Sequence, residues 1–388
     1  MAERLPDTDW TRREDLAALV AALGQGNARY VGGAVRDALL GIAVQDVDLA
    51  TPLEPDEMVA RLNAADIRTV PTGIEHGTIT AILPDGPVEI TTLRHDVSTD
   101  GRRATVAFAT DWEDDAARRD FTINALYADP ETGEIFDYFG GLADLKSRTV
   151  RFIGDARQRI REDHLRILRY FRFQARFGTQ PADYESENAC TELAPMLKGL
   201  SRERVGMEML NTLGLADPSA TITRMAELNV LREILPESDP RALSAMIRHE
   251  QNHAIGPDPI RRLASLLPAS PETAKQIAAR FRLSNAQKKR LVLAARREEP
   301  PFEARALAYR FGRDEALDRL LITGADPAPL DRWDIPVFPL KGGEIVGRGV
   351  AAGPDVARIL QTVESRWVAE GFPDAQRVGA ILDEELST

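Results

Sequence analysis

Tyr30-Val31-Gly32-Gly33-Ala34-Val35-Arg36-Asp37, followed by Asp46-Val47-Asp48, carries the strongest structural signal in this chain. An apolar pair runs into two glycines and then into a helix-like segment, Val35 to Leu40. Glycines at a helix start let backbone amides approach a phosphate closely, and the helix terminus favours an anion there. Asp46 and Asp48 stand at i and i+2 on an expected strand, so their carboxylates share one face. Oxygen ligands on one face suit a hard divalent cation such as Mg²⁺. Taken singly, the glycine pair is a tight turn and the aspartates a solvated strand end. Arriving in order within one βαβ-sized unit, they outline a site for a triphosphate and a metal.

Outward from that unit, Ala28 to about Val150 has mixed texture. Short β-rich runs lie at Ala28–Val31, Val47–Ala50, Thr78–Leu83, Val88–Thr92 and Ile135–Asp137, with helices over Asp15–Leu23 and Leu53–Asn63. Pro84-Asp85-Gly86-Pro87 predicts a turn, which makes Thr78–Thr92 a hairpin. Past Phe152 the strand signals nearly vanish. Helical apolar spacing recurs at Ala156–Phe177, Ser201–Leu213, Thr221–Leu228, Ala242–Glu250, Ile260–Leu267, Pro271–Phe281, Asn285–Arg297 and Ala304–Phe311. Breakers such as Asp217-Pro218 and Pro300-Pro301 separate these segments. The expected fold class is α+β: a head with a mixed sheet, followed by an all-helical remainder.

Composition narrows the function classes. With 388 residues, 43% hydrophobic and 28% charged, the chain reads as an ordinary soluble globular protein of more than one domain. No run approaches 18 apolar residues, so no membrane span is expected. The polar start lacks a signal-peptide core, and Cys190 is the sole cysteine, which excludes an internal disulfide or a cysteine-based zinc cluster. A cytoplasmic location is the expectation. A net charge of −12 argues at first against nucleic acid. Arginines nevertheless crowd Arg151–Arg176, and a second basic cluster runs from Arg280 to Arg297. Such stripes can follow a phosphate backbone or simply be solvated helix faces.

Further motifs add chemistry. Glu89, on Val88-Glu89-Ile90-Thr91-Thr92-Leu93-Arg94, faces opposite to its apolar neighbours and is either a third metal carboxylate or a surface residue on the hairpin. Arg118-Arg119-Asp120-Phe121-Thr122-Ile123-Asn124-Ala125 offers two guanidiniums for phosphate and ribose, with Phe121 and Ile123 packed inside. Arg36 can reach a phosphate at the helix start, whereas Asp37 caps or orients. His76, a lone histidine at a strand entry, reads as structural. On an expected helix, Glu162, Arg166 and Arg169 share one face at i, i+4 and i+7, with Asp163 beside them. Spacing alone makes that face an intrahelical salt-bridge array.

The stretches Gly32–Gly41 and Asp46–Thr51 resemble the head signature of class II tRNA nucleotidyltransferases and bacterial poly(A) polymerases, of the polymerase β-like superfamily. Arg118–Ala125 is similar to the family's RRDFTINA element, and Asp137–Leu145 to its hinge motif. Arg161–Arg169 resembles its EDxxR neck helix, and Ser201–Glu208 its fifth motif. The match is weaker in the tail, at Gly342–Gly349 and Ala352–Val356.

The resemblance implies a polymerase β-like nucleotidyltransferase head over residues 1–150, a nucleotide-selecting neck over 151–215 and a tRNA-binding body and tail over 216–388. It implies that Asp46, Asp48 and Glu89 hold two Mg²⁺ ions, and that Gly32, Gly33, Arg36, Arg119, Asp120 and Asn124 bind the nucleotide. Asp163 and Arg166 then read the base edges of CTP and ATP in place of a template, with Glu162 holding Arg166 and Arg169 supporting the nucleotide. A carboxylate and a guanidinium together offer the acceptors and donors needed to accept C or A. The implied reaction adds C, C and A to the 3′ end of tRNA with release of pyrophosphate, and implies no protein partner.

The nearest alternatives are a poly(A) polymerase or an enzyme adding only CC or only A; a remote one is a non-catalytic tRNA-binding protein. The His76-Gly77-Thr78-Ile79-Thr80 form and the full-length Arg94–Asp115 segment favour complete CCA addition. A metal phosphohydrolase domain is not expected, since His249-Glu250-Gln251-Asn252-His253 contains no His-Asp dipeptide.

Overall fold

A computed structural model describes residues 3–73, 77–100, 103–300 and 302–387. Helix α1 (Glu14–Leu23) buries Leu16, Leu19, Val20 and Leu23, the spacing that gathers apolar side chains on one face. Strand β1 (Arg29–Val31), α2 (Gly33–Leu39), β2 (Asp48–Thr51) and α3 (Pro55–Ala64) follow, with α3 beside α1. Strands β3 (Thr69–Gly73), β4 (Thr78–Leu83) and β5 (Gly86–Thr92) come next. The expected hairpin is present, β4 and β5 pairing antiparallel with Leu83 opposite Gly86.

Strands β6 (Arg94–Asp100) and β7 (Arg103–Phe108) form a separate antiparallel ribbon, and α4 (Trp112–Ala117) packs against β6. With β8 (Leu126–Ala128) and β9 (Ile135–Asp137) the main sheet has the order β3-β4-β5-β2-β1-β8-β9. Only β2 and β5 run parallel. That pairing sets Asp48 directly opposite Glu89. His76 lies outside the described residues.

The helices α5 (Gly141–Ser147), α6 (Ala156–Glu162), α7 (Arg166–Phe177), α8 (Tyr184–Leu193), α9 (Arg202–Leu213), α10 (Ser219–Glu227) and α11 (Val230–Ile234) complete a first compact unit, residues 1–236. At the start of α5, Gly140 has φ +78°, and a Cβ on Gly141 would fall 2.3 Å from the Thr122 carbonyl oxygen. The first glycine supplies the backbone turn and the second a close approach. Helices α10 and α11 belong to this unit, α10 packing on α7.

The continuous helix expected across Arg161–Arg169 is corrected by the structure. Helix α6 stops at Glu162, Asp163 is extended at φ −151°, and α7 begins at Arg166. Asp163 causes the break: its Oδ1 accepts the Leu165 N–H at 3.1 Å, while its own carbonyl accepts the Arg166 N–H at 3.0 Å. An aspartate that bonds backbone two residues on competes with helix continuation.

The second unit, residues 237–388, is helical: α12 (Pro240–Asn252), α13 (Pro259–Leu266), α14 (Pro271–Arg280), α15 (Asn285–Ala295), α16 (Ala304–Phe311), α17 (Arg313–Thr323), α18 (Gly342–Gly347), α19 (Pro354–Ala369) and α20 (Ala375–Leu386). Its tail core gathers Ile345, Val363, Trp367, Ile381 and Leu382, and the Trp367 indole N–H donates to the Pro373 carbonyl at 2.7 Å. A buried ionic network ties α12, α13, α15 and α17. Arg261 bonds Glu250 and Asp318, Arg262 bonds Glu250, and Arg290 bonds Asp318 and Asp258.

The first basic stripe is mostly neutralised internally, the second only in part. In the first, every arginine except Arg161 pairs with a carboxylate among the described residues, as Arg157 does with Glu192 and Arg176 with Asp37. In the second, Arg280 pairs with Glu237, Arg290 joins the buried network, and Arg296 approaches Glu299. Arg282, Lys288 and Lys289 remain exposed. The first stripe is therefore largely braced by carboxylates within the fold.

Candidate active site

The turn between β1 and α2 is built on Gly32, whose φ of +68° suits glycine, and a Cβ there would lie 3.4 Å from Arg119 Nη1. One turn on, Arg36 is buried, donating from Nε to Asp37 Oδ1 at 2.7 Å and from Nη1 to Asn124 Oδ1 at 2.5 Å. Burial depresses its proton affinity, with Asp37 opposing that shift and Arg176 adding to it. Asp37 also accepts from Arg176 at 3.2 Å. It therefore orients Arg36, as its position beside that residue suggests.

Asp48 opens β2, while Asp46 sits in the connection before it, so the two do not share a strand as expected. Their cooperation is electrostatic. Burial first, then Glu89 and Asp46, push the Asp48 carboxyl up to about 6, with Arg119 pulling the other way. Among the described residues no three acidic, histidine or cysteine side chains already form a metal cage. The chemistry of the set nonetheless fits a hard divalent cation, which would relieve the repulsion that lifts Asp48. Asp46, Asp48 and Glu89 supply only oxygen donors.

Behind this edge stands Asp115, 1% exposed, a residue that the sequence reading missed. It accepts from Arg118 Nε at 2.8 Å, from Arg119 Nη2 at 3.1 Å and from the Tyr127 hydroxyl at 2.6 Å. The Arg94 backbone N–H donates to it as well, at 3.2 Å, at the foot of the β6–β7 ribbon. Burial would raise its carboxyl, but Arg119, Arg118 and Tyr127 prevail and hold it at about 2. An acid three and four residues ahead of the arginine pair was the available signal.

Asp120 and Asn124 link head to neck. Asp120 Oδ1 accepts from Asn124 Nδ2 at 2.9 Å, and Oδ2 from Arg169 Nε at 2.8 Å. Burial would raise Asp120, but Arg169 and Asn124 keep it below its ordinary value. Arg166 Nη1 is held by Glu162 at 2.5 Å and by the Arg159 carbonyl at 2.9 Å. Across α9, Arg204 Nη2 donates to Asp163 Oδ2 at 2.6 Å, and Glu208 accepts from Arg172 Nε at 2.7 Å.

These parts converge on one cavity of about 390 Å³. The head contributes Gly32, Gly33, Arg36, Asp48, Arg119, Asp120 and Asn124; the neck contributes Asp163, Arg166, Arg169 and Phe173. Asp46, Glu89 and Glu162 are not among its lining residues: Glu89 lies opposite Asp48 in the β2–β5 register, Asp46 two residues before Asp48, and Glu162 holds Arg166. The sequence reading did not anticipate Phe173 or Asp115, while Arg204 and Glu208 fall within the Ser201–Glu208 motif without having been singled out there.

A phosphate-accommodating turn, an acidic edge and a carboxylate–guanidinium pair facing one cavity define a nucleotidyltransferase. Residues 28–151 match the family described as Poly A polymerase head domain, and residues 183–241 the one described as probable RNA and SrmB-binding site of polymerase A. The chain is 37% identical over 382 residues to the mitochondrial CCA tRNA nucleotidyltransferase 1 of Mus musculus, covering 92% of this chain and 87% of that one. It is 32% identical over 375 residues to the CCA-adding enzyme of Streptococcus uberis, covering 91% of each. Among solved structures, the Bacillus stearothermophilus CCA-adding enzyme in complex with CTP is similar at TM-score 0.74 and 27% identity, over 96% of this chain and 98% of that one. The Thermotoga maritima CCA-adding enzyme complexed with tRNA-CCA shares the fold at TM-score 0.68 and 21% identity, over 93% of this chain and 91% of that one. The chain belongs to the CCA-adding tRNA nucleotidyltransferase family, which bears out both the resemblance and the expected α+β head with helical domains.

Proposed function

We propose that this protein adds C, C and A to the 3′ end of tRNA from CTP and ATP, releasing pyrophosphate. The observation that carries the proposal is the single cavity in which the head's glycine turn and Asp48 meet the neck's Asp163 and Arg166. The terminal hydroxyl of the tRNA attacks the α-phosphorus, forming a new P–O bond as the bond to pyrophosphate breaks. Arg36, Arg119 and the Gly32–Gly33 backbone face the triphosphate, and Asp120 and Asn124, which line the same cavity, bind the nucleotide beside them. Asp163 and Arg166 present acceptor and donors to the base, and Arg169 supports the nucleotide from the neck. Asp46, Asp48 and Glu89 would hold the divalent cations, which we take to be two Mg²⁺ ions, and these would neutralise phosphate charge. Residues 151–215 are assigned to nucleotide choice and 216–388 to tRNA contact.

We assign the cytoplasm as the compartment, in keeping with the single free cysteine; the names of the mouse and human relatives place those proteins in mitochondria. No described helix is long and apolar enough to cross a membrane. The testing experiment supplies tRNA lacking its 3′ end with each nucleotide in turn. CTP alone should extend it by two residues, ATP should complete it, and UTP and GTP should be left unused. Repeated adenylation without a preceding C addition would instead favour a poly(A) polymerase.

A further inference from the structure

One cavity-lining residue has no role in the scheme above. Phe173, on α7, is 6% exposed and lines the cavity from the neck side. Three guanidinium carbons lie near its ring centroid: Arg36 at 5.4 Å, Arg169 at 5.5 Å and Arg172 at 4.9 Å. They come from the head helix after the glycines and from two turns of the neck helix. Phe121 and Phe177 fix the ring from other sides, with centroids at 5.0 and 5.6 Å. Phe177 in turn receives Arg36 at 4.2 Å and Arg176 at 4.9 Å.

Guanidiniums this crowded repel one another in a partly desolvated site, and their carboxylates tie each to a different anchor, Arg36 to Asp37, Arg169 to Asp120 and Arg172 to Glu208. An aromatic ring attracts cations through its quadrupole while carrying no charge to compete with an incoming phosphate. The geometry points to Phe173 as a positioning residue: its ring gathers Arg36 and Arg169, which line the cavity, and holds them ready for the triphosphate without itself reading the base, while Arg172 braces the ring from its bond to Glu208.

This inference rests on the nucleotide-binding reading, and the test separates the two. Binding of tripolyphosphate, CTP and ATP is titrated calorimetrically on the full chain without tRNA. The proteins compared are the wild type, Phe173→Leu and a protein whose Phe173 ring is replaced by its pentafluorinated form. Wild-type protein that binds neither nucleotide nor tripolyphosphate would overturn the nucleotide-binding reading itself. Given wild-type binding, Phe173→Leu should weaken all three ligands together by about 3- to 30-fold, the range expected of one or two cation–π contacts. In primer extension the same variant should raise KM for CTP and ATP alike, leaving kcat within about threefold and the preference for C over U unchanged. The fluorinated ring keeps the shape and reverses the quadrupole, so it should reproduce the loss, and it carries the test if the leucine variant fails to fold. Wild-type affinity for tripolyphosphate with the fluorinated ring would overturn the inference. So would a loss confined to one nucleotide, which would make Phe173 a base contact.

Discussion

Removing the Asp163 carboxylate should change which base is accepted more than how fast the chemistry runs. Asp163 stands in the break between α6 and α7, facing the cavity with Arg166. Its Oδ2 is steadied by Arg204 at 2.6 Å and its Oδ1 by the Leu165 N–H at 3.1 Å, so its direction is set before any nucleotide arrives. Arg166 is fixed in the same way, by Glu162, the Arg159 carbonyl and, at 3.3 Å, the Arg118 carbonyl. A well-placed bidentate contact to a base edge is worth about 1–3 kcal/mol, hence roughly 5- to 150-fold in discrimination. Asp163→Ala and Arg166→Ala should therefore each erode the preference for CTP and ATP over UTP and GTP by a factor in that range. Arg204→Ala should act in the same direction but less, because Asp163 keeps its bond to Leu165. The assay is single-turnover extension of tRNA lacking its 3′ end, with rates measured for each of the four nucleotides. If both cavity variants keep wild-type preference and lose only melting temperature, the Glu162–Arg166 face is a salt-bridge array and the selection mechanism is wrong.

Asp46→Ala and Asp48→Ala should each abolish nucleotide addition while leaving tRNA binding nearly intact; more than a few per cent residual activity in both would contradict the acidic-edge assignment. Glu89→Gln should lower turnover at saturating Mg²⁺ without altering nucleotide choice, and an unchanged rate would return Glu89, which is exposed, to a surface residue of the β4–β5 hairpin. Asp115 gives a pH signature. Its carboxyl is held at about 2 against an ordinary 3.8, so it stabilises the fold above its unfolded value and loses that stabilisation as pH falls toward 2. Asp115→Asn should thus cost about 2 kcal/mol in denaturant unfolding at neutral pH. The gap to wild type should close between about pH 4 and pH 2; a gap that does not vary with pH would rule out the charge as its source.

The head was legible because its motifs are local. The glycine turn, the β4–β5 hairpin and the Arg118–Asn124 element each sit within a few residues of one another, where spacing determines facing. Asp163 misled the helix reading because its apolar neighbours keep helical spacing, while the break comes from a side chain capturing backbone. The ribbon β6–β7 went unread, since the polar run Arg94–Asp100 lacks the apolar alternation that marks a half-buried strand. Arg204 with Asp163 and Glu208 with Arg172 pair over 41 and 36 residues, a distance at which no local pattern carries information. In the first basic stripe Arg159 and Arg166 pair locally with Glu162, whereas Glu208 and Asp37, the partners of Arg172 and Arg176, are brought to them only by the tertiary fold.

The most direct test of the central claim is to sequence the 3′ ends produced when tRNA lacking its last three nucleotides is incubated with all four nucleotides and Mg²⁺. Nearly all products should end in a single C-C-A and stop there, whereas the Asp163→Ala and Arg166→Ala enzymes should leave U or G at those positions. Wild-type products ending in homopolymeric A, or in C-C without A, would contradict that claim.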